Sequence, residues 1–233
     1  MSDLIPQFET LPLLWLPLGI VALYLGIVIV LAEGINRLTS ADGEVTRKIV
    51  HISVGHVILL AWWLKIPAWI GIGASAIASC IALLSYVIPF LPSINSVGRK
   101  SLGTFFYAIS IGILVAWFWT LNKPQYAAIG ILVMAWGDGM AGLIGQNFGK
   151  HLYNVLGMTK SWEGTLAMAG ISFLVTCLIL VTVDGNIWQT WLVSLVVAIA
   201  ASALEAISKL GIDNLTVPVG SAAIAFTLSQ ILS

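Results

Sequence analysis

Residues 126–150 read YAAIGILVMAWGDGMAGLIGQNFGK, an apolar run with one acid, Asp138, set near its end. A helix that crosses a bilayer takes about 20 mostly apolar residues, and the run 126–144 supplies them. An aspartate inside such a helix is costly unless it has a buried partner or a function. Gly137, Ala141, Gly145 and Gly149 recur every four residues, lining small side chains along one face where a neighbouring helix or a ligand can approach the backbone. The stretch predicts a membrane-crossing helix with a charge and a close-approach face. A packing ridge with Asp138 paired to a basic neighbour would show the same pattern.

The rest of the chain reads alike. Of its 233 residues 59% are hydrophobic and 9% charged, with 10 Lys and Arg against 10 Asp and Glu, whereas an ordinary globular domain is roughly 25% charged. The apolar content fills roughly seven or eight spans and leaves little for a soluble domain. The expected fold is an all-α integral membrane protein, one polytopic domain over 1–233. Its spans are predicted at 11–32, 49–64, 68–88, 102–121, 126–144, 166–183, 188–206 and 217–232. The second span carries His51, Ser53 and His56, so it is expected to face the protein interior. A net charge of +0 gives no basic stripe, which argues against nucleic acid. Cys80 and Cys177 lie in apolar runs, and neither a disulfide framework nor a zinc site is indicated.

Eight alternating spans put Arg37, Arg47, Lys48, Arg99, Lys100, Lys150, Lys160 and Lys209 on one side and leave Lys65 and Lys123 on the other. The positive-inside rule makes the richer side cytoplasmic and both termini non-cytoplasmic. Trp15, Trp62, Trp63, Trp69, Trp117, Trp119, Trp188 and Trp191 fall near the opposite ends of the spans, as an interfacial aromatic belt would.

The chemically interesting groups all fall on the cytoplasmic side. Arg47, Lys48 and His51 are three and four residues apart, so a helix places them on one face at headgroup level. They can hold phosphate oxygens or simply anchor the helix by snorkelling. Gly145 to Lys150 is one residue short of a phosphate-binding P-loop, and His151 stands where that loop needs Ser or Thr. Lys160, Ser161, Trp162, Glu163 and Gly164 precede the sixth span, and Glu205 and Asp213-Asn214 bracket a short polar loop closed by Pro218. Asp213 and Asn214 are hard oxygen ligands suited to Mg²⁺; Glu205 and Lys209 have the spacing of a helical ion pair. The histidines lack metal-site spacing. Cations, carboxylates and close-approach glycines over an apolar body suit phosphoryl transfer between a cytosolic phosphate donor and a lipid.

Arg47-Lys48-x-x-His51, Gly137-Asp138-Gly139-x-Ala141 and Lys160-Ser161-x-Glu163-Gly164, in this order, resemble the polyprenol kinases, membrane enzymes that include dolichol, phytol and farnesol kinases. The short form is most similar to phytol kinases of cyanobacteria and plastids. No transit-peptide pattern precedes the first span, which favours a bacterial, cyanobacterial membrane. The resemblance implies CTP as phosphoryl donor, an isoprenoid alcohol as acceptor (phytol, with geranylgeraniol and farnesol as alternatives), and motif positions at Arg47, Lys48, Asp138, Gly145, Lys160 and Glu163.

The expected catalytic residues are Asp138, Glu163 and Lys160. Arg47, Lys48, His51, Lys100, Gly142, Gly145, Lys150 and Asn214 are expected to bind the nucleotide, and Asp138, Asp213 and Glu205 the Mg²⁺. Asp138 is either a metal ligand or the base for the alcohol, and Asn214 meets either cytosine or metal. Two rivals share these features: a CTP-dependent phosphatidate cytidylyltransferase, and a transporter with Asp138 and Glu205 along an ion path. The one-sided clustering of the acids disfavours the second, because coupling sites normally lie near the bilayer midplane.

Overall fold

The computed structural model describes residues 11–38, 43–87 and 102–232. Apolar sequence in lipid must satisfy its backbone internally, and the described chain does so almost wholly as helix. In order these are α1 (Leu11–Leu38), α2 (Gly43–Gly55), α3 (Val57–Trp63), α4 (Ala68–Val87), α5 (Gly103–Phe118) and α6 (Pro124–Leu132). A π-helical turn (Val133–Asp138) leads into α7 (Gly139–Phe148), and a hairpin of β1 (Leu152–Val155) and β2 (Met158–Ser161) leads into α8 (Trp162–Asp184), α9 (Trp188–Ile207) and α10 (Asp213–Leu232). Six helical stretches are long and apolar enough to cross a membrane, and Lys48–Trp63 and Gly103–Phe118 are shorter apolar helices. These eight stretches follow the eight expected spans.

The structure departs from the sequence reading at the polar ends. Several stretches extend past the apolar runs, among them those that reach Leu38 and Phe148 and those that begin at Gly43, Trp162 and Asp213. A hydropathy criterion trims polar first and last turns that the helix keeps. The second span is broken at Gly55 and His56 into α2 and α3. The antiparallel hairpin, with Tyr153 opposite Lys160 and Val155 opposite Met158, lies where only a loop was expected.

The helix running from α6 through the π turn into α7 is the axis of the bundle. Its membrane window is 67% buried, against 6% for that of α1. Ala127, Ala128, Ile129, Val133, Met134 and Ala135 are fully buried, and α5, α8 and α10 pack around them. Small residues permit this. A Cβ on Gly130 would lie 2.3 Å from the carbonyl oxygen of Pro218, so α6 and α10 meet backbone to backbone. At one end of this contact Phe118, Tyr126 and Phe226 form a ring cluster with centroids 5.3–5.7 Å apart. The polar residues gather at the other end.

Gly130→Ala is therefore expected to lower the melting temperature in detergent, by an overpacking cost of roughly 1–3 kcal/mol. Gly26→Ala, where a Cβ meets nothing within 4 Å, should leave melting unchanged or raise it, since alanine is the better helix residue. Equal melting temperatures for the two variants would contradict the close α6–α10 contact.

Candidate active site

Asp138 closes the π turn and opens α7. A π turn inserts a residue into the helical ladder and is frequent at functional sites; here it ends at the acid. Lys48 reaches Asp138 from α2, its Nζ donating to Oδ2 at 2.8 Å and to the Asp138 backbone oxygen at 3.0 Å. The two side chains are 7% and 21% exposed. Lys48 is thus buried inside the protein, against α7. A buried ammonium needs an opposite charge, and the nearest is Asp138, ninety positions along the chain.

The glycines around Asp138 make the seat for α2. A Cβ on Gly142 would lie 2.6 Å from the Lys48 ammonium, and one on Gly139 would lie 2.7 Å from Ile52. Gly142, expected at the nucleotide, therefore accommodates Lys48. At Gly145 the nearest neighbours of such a Cβ are Ser161 Oγ at 3.1 Å and the Gly164 Cα at 3.6 Å, so this face receives the start of α8. Farther along, Gly55 sits against Ala135 of the π turn, and Trp136 Nε1 donates to His56 Nε2 at 3.0 Å. The break in the second span and the π turn thus face one another.

A second lysine–carboxylate pair stands beside the first. The hairpin holds Lys160 so that its Nζ donates to Glu205 Oε1 and, at 2.7 Å, to the Glu205 backbone oxygen. Glu205 therefore pairs with Lys160 and not with Lys209, as the helical spacing alone suggested; Lys209 lies near Gly157 in the hairpin turn. The hairpin is braced on α8 by Tyr153 and Thr165, whose hydroxyl oxygens are 2.6 Å apart, and by the ring contact of Tyr153 with Trp162. Ser161 caps α8 by accepting from the Gly164 amide at 3.2 Å. Asp213 lies within electrostatic reach of Asp138, Glu205 and Lys160, which joins the two pairs into one cluster.

The other described candidates make contacts of their own. Glu163 bonds the His151 ring at 2.6 Å and the His151 amide at 3.2 Å, so it closes the base of the hairpin. Asn214 is engaged in its own turn, donating to Asp213 Oδ1 and the Gly211 carbonyl. Lys150 is exposed, and the His51 ring lies 4.4 Å from that of Tyr107. Lys100 is outside the described residues, and of Arg47 only its place in α2 is described. Among the described residues no three His, Cys, Asp or Glu side chains converge on one metal position. That arrangement still fits Mg²⁺, which usually takes one or two carboxylates and completes its shell with phosphate oxygens and water. Among the described residues Asp213 makes no ion pair, whereas Asp138 and Glu205 each do. Sequence reasoning missed both lysine partners and the His56–Trp136 bond, because no local spacing signals contacts at such separations.

The cytidylyltransferase family matches residues 5–203, and the chain belongs to that family. It is 56% identical over 218 residues to the phytol kinase of Synechocystis sp., covering 94% of each chain. It is 31% identical to the chloroplastic farnesol kinase of Arabidopsis thaliana, over 80% of this chain and 66% of that one. Phytol kinase 1 of the same plant is 26% identical over 83% of this chain and 69% of its own. No solved structure matches.

Removing one partner of a buried ion pair strands the other charge, at a cost of about 3 kcal/mol or more. Lys48→Met should therefore lower the melting temperature clearly, and the double variant Lys48→Met, Asp138→Asn should recover most of the loss. A double variant no more stable than Lys48→Met would show that the pair does not hold α2 in place.

Proposed function

We propose that the chain transfers the γ-phosphoryl group of CTP to the hydroxyl of an isoprenoid alcohol, with phytol as the acceptor. Support comes from the 56% identity to a protein named phytol kinase, the farnesol kinase relative and membership of a family that bears the name of cytidylyl transfer. The placement of the chemistry rests on one arrangement: Lys48–Asp138 and Lys160–Glu205 side by side, with Asp213 in reach of both. The reaction face is cytoplasmic on this reading, because the Lys and Arg residues are biased to that side.

Each of these groups can do a part of the reaction. A triphosphate brings oxygens that compete with Asp138 and Glu205 for the two ammonium groups, and charge-assisted contacts of this kind are strong. Lys48 and Lys160 then hold the phosphates, and the charge they carry stabilises the oxygens of the transferring group. Lys150 and Lys209 at the rim draw in the anionic nucleotide. Asp213 with Glu205 would hold Mg²⁺, which supplies further charge neutralisation between the phosphates. Asp138, released from Lys48, accepts the proton of the alcohol as its oxygen attacks phosphorus. Glu163 and His151 keep the hairpin, and with it Lys160, in place. A second reading, transfer of the cytidylyl group with release of pyrophosphate, is favoured by the family description alone.

Incubating the purified protein with phytol and CTP labelled in either phosphate separates the two. Label from the γ-phosphate in the lipid is the expected outcome; label from the α-phosphate would establish cytidylyl transfer. Asp138→Asn keeps the shape and removes the charge, and should lower kcat by on the order of 10² or more while the protein still purifies. Near wild-type turnover would make Asp138 a packing partner of Lys48 only. Orientation is tested by cysteines at Ser161 and Asn122: an impermeant reagent added to intact cells should label the second and spare the first.

A further inference from the structure

Tyr107 carries a polar atom that the catalytic scheme above does not use. It lies on α5, whose main contacts are with α4, α6 and α10, yet its ring crosses to α2 and stands 4.4 Å from the ring of His51. The residue is 6% exposed. Its hydroxyl oxygen would be 3.2 Å from a Cβ on Gly55, at the break in the second span. Asp138 is near enough for its charge to act on the phenol. Among the described residues the hydroxyl has no hydrogen-bond partner.

Buried polar groups are as a rule hydrogen-bonded, and one left unpaired is costly. Among the described residues Ser172, Thr176 and Ser221 are also buried without a partner, but a Ser or Thr in a helix can rotate to bond the carbonyl one turn back. A phenol oxygen is held at the far end of a rigid ring and cannot reach its own helix. Its partner must come to it, with an oxygen that accepts a hydrogen bond in an otherwise apolar setting between helices.

We propose that Tyr107 is the binding contact for the alcohol hydroxyl: the phenol donates to the alcohol oxygen, whose own proton points towards Asp138. The alcohol oxygen keeps a second lone pair for attack on phosphorus, and its apolar tail extends into the bundle or the surrounding lipid. This assignment rests on the reading of the chain as an isoprenoid-alcohol kinase and names the residue that recognises the acceptor. The nucleotide contacts, Lys48 and Lys160, are separate from it.

Tyr107→Phe removes one oxygen and keeps the ring. The expected result is a KM for phytol raised roughly threefold to tenfold, the range for loss of one hydrogen bond, with the KM for CTP unchanged. Without substrate the variant should melt no lower than wild type, because the hydroxyl removed has no partner among the described residues. Equilibrium binding of radiolabelled phytol without CTP should weaken by the same factor, and binding of the analogous hydrocarbon lacking the hydroxyl should not change. An unaltered KM and unaltered phytol binding would overturn the assignment, as would a lower melting temperature with both unaltered, which would mark a structural hydroxyl. If wild type moved no phosphate from CTP but Tyr107→Phe still weakened phytol binding, the kinase reading would fall and this contact would stand.

Discussion

An ammonium group beneath a membrane surface needs an opposite charge within hydrogen-bond reach, and Lys48 finds it in Asp138 at 2.8 Å. Much of the polar end of the bundle follows from that contact. It fixes how deep α2 sits, and Gly142 and Gly139 are bare so that Lys48 and Ile52 can lie against α7. The π turn ends at Asp138 and places its carboxylate where the ammonium arrives. The break at Gly55–His56 allows the second span to follow that irregular stretch, tied to it by Trp136 and His56.

The second ion pair uses different means for the same end. Lys160 lies outside the helices, in a short hairpin that carries it to Glu205. An isolated hairpin of this length is marginal in water; here it is held by the Tyr153–Thr165 contact and by the Glu163–His151 bridge at its base. Pairing each lysine with a carboxylate keeps both charges neutralised. Asp213, with no ion-pair partner among the described residues, extends the acidic side of the cluster.

On the proposed reading, phosphate chemistry and alcohol recognition are carried by different elements. The hairpin and the start of α2 bring the lysines, while Tyr107 on α5 offers its hydroxyl from within the apolar bundle. Such a division suits one substrate that arrives from water and another that arrives from lipid.

The helical character of the chain and the order of its apolar stretches among the described residues were legible in the sequence, because a bilayer imposes length and hydropathy on every segment that crosses it. So was the cost of placing Asp138 in an apolar run, which called for either a role or a basic neighbour. Which neighbour was decided only in three dimensions. The sequence pointed to a basic neighbour without naming one, and the choice of Lys48 followed from how α2 packs in the glycine groove. Glu205 has Lys209 at helical spacing, yet pairs with Lys160 because the hairpin, whose strands have no hydropathy signature, delivers it. The hydroxyl of Tyr107 was one phenol among five tyrosines. Only the tertiary structure brings the Tyr107 side chain to the break in the second span, buried, near Asp138 and without a hydrogen-bond partner among the described residues, since long-range contacts depend on the depth and rotation of helices that composition does not encode.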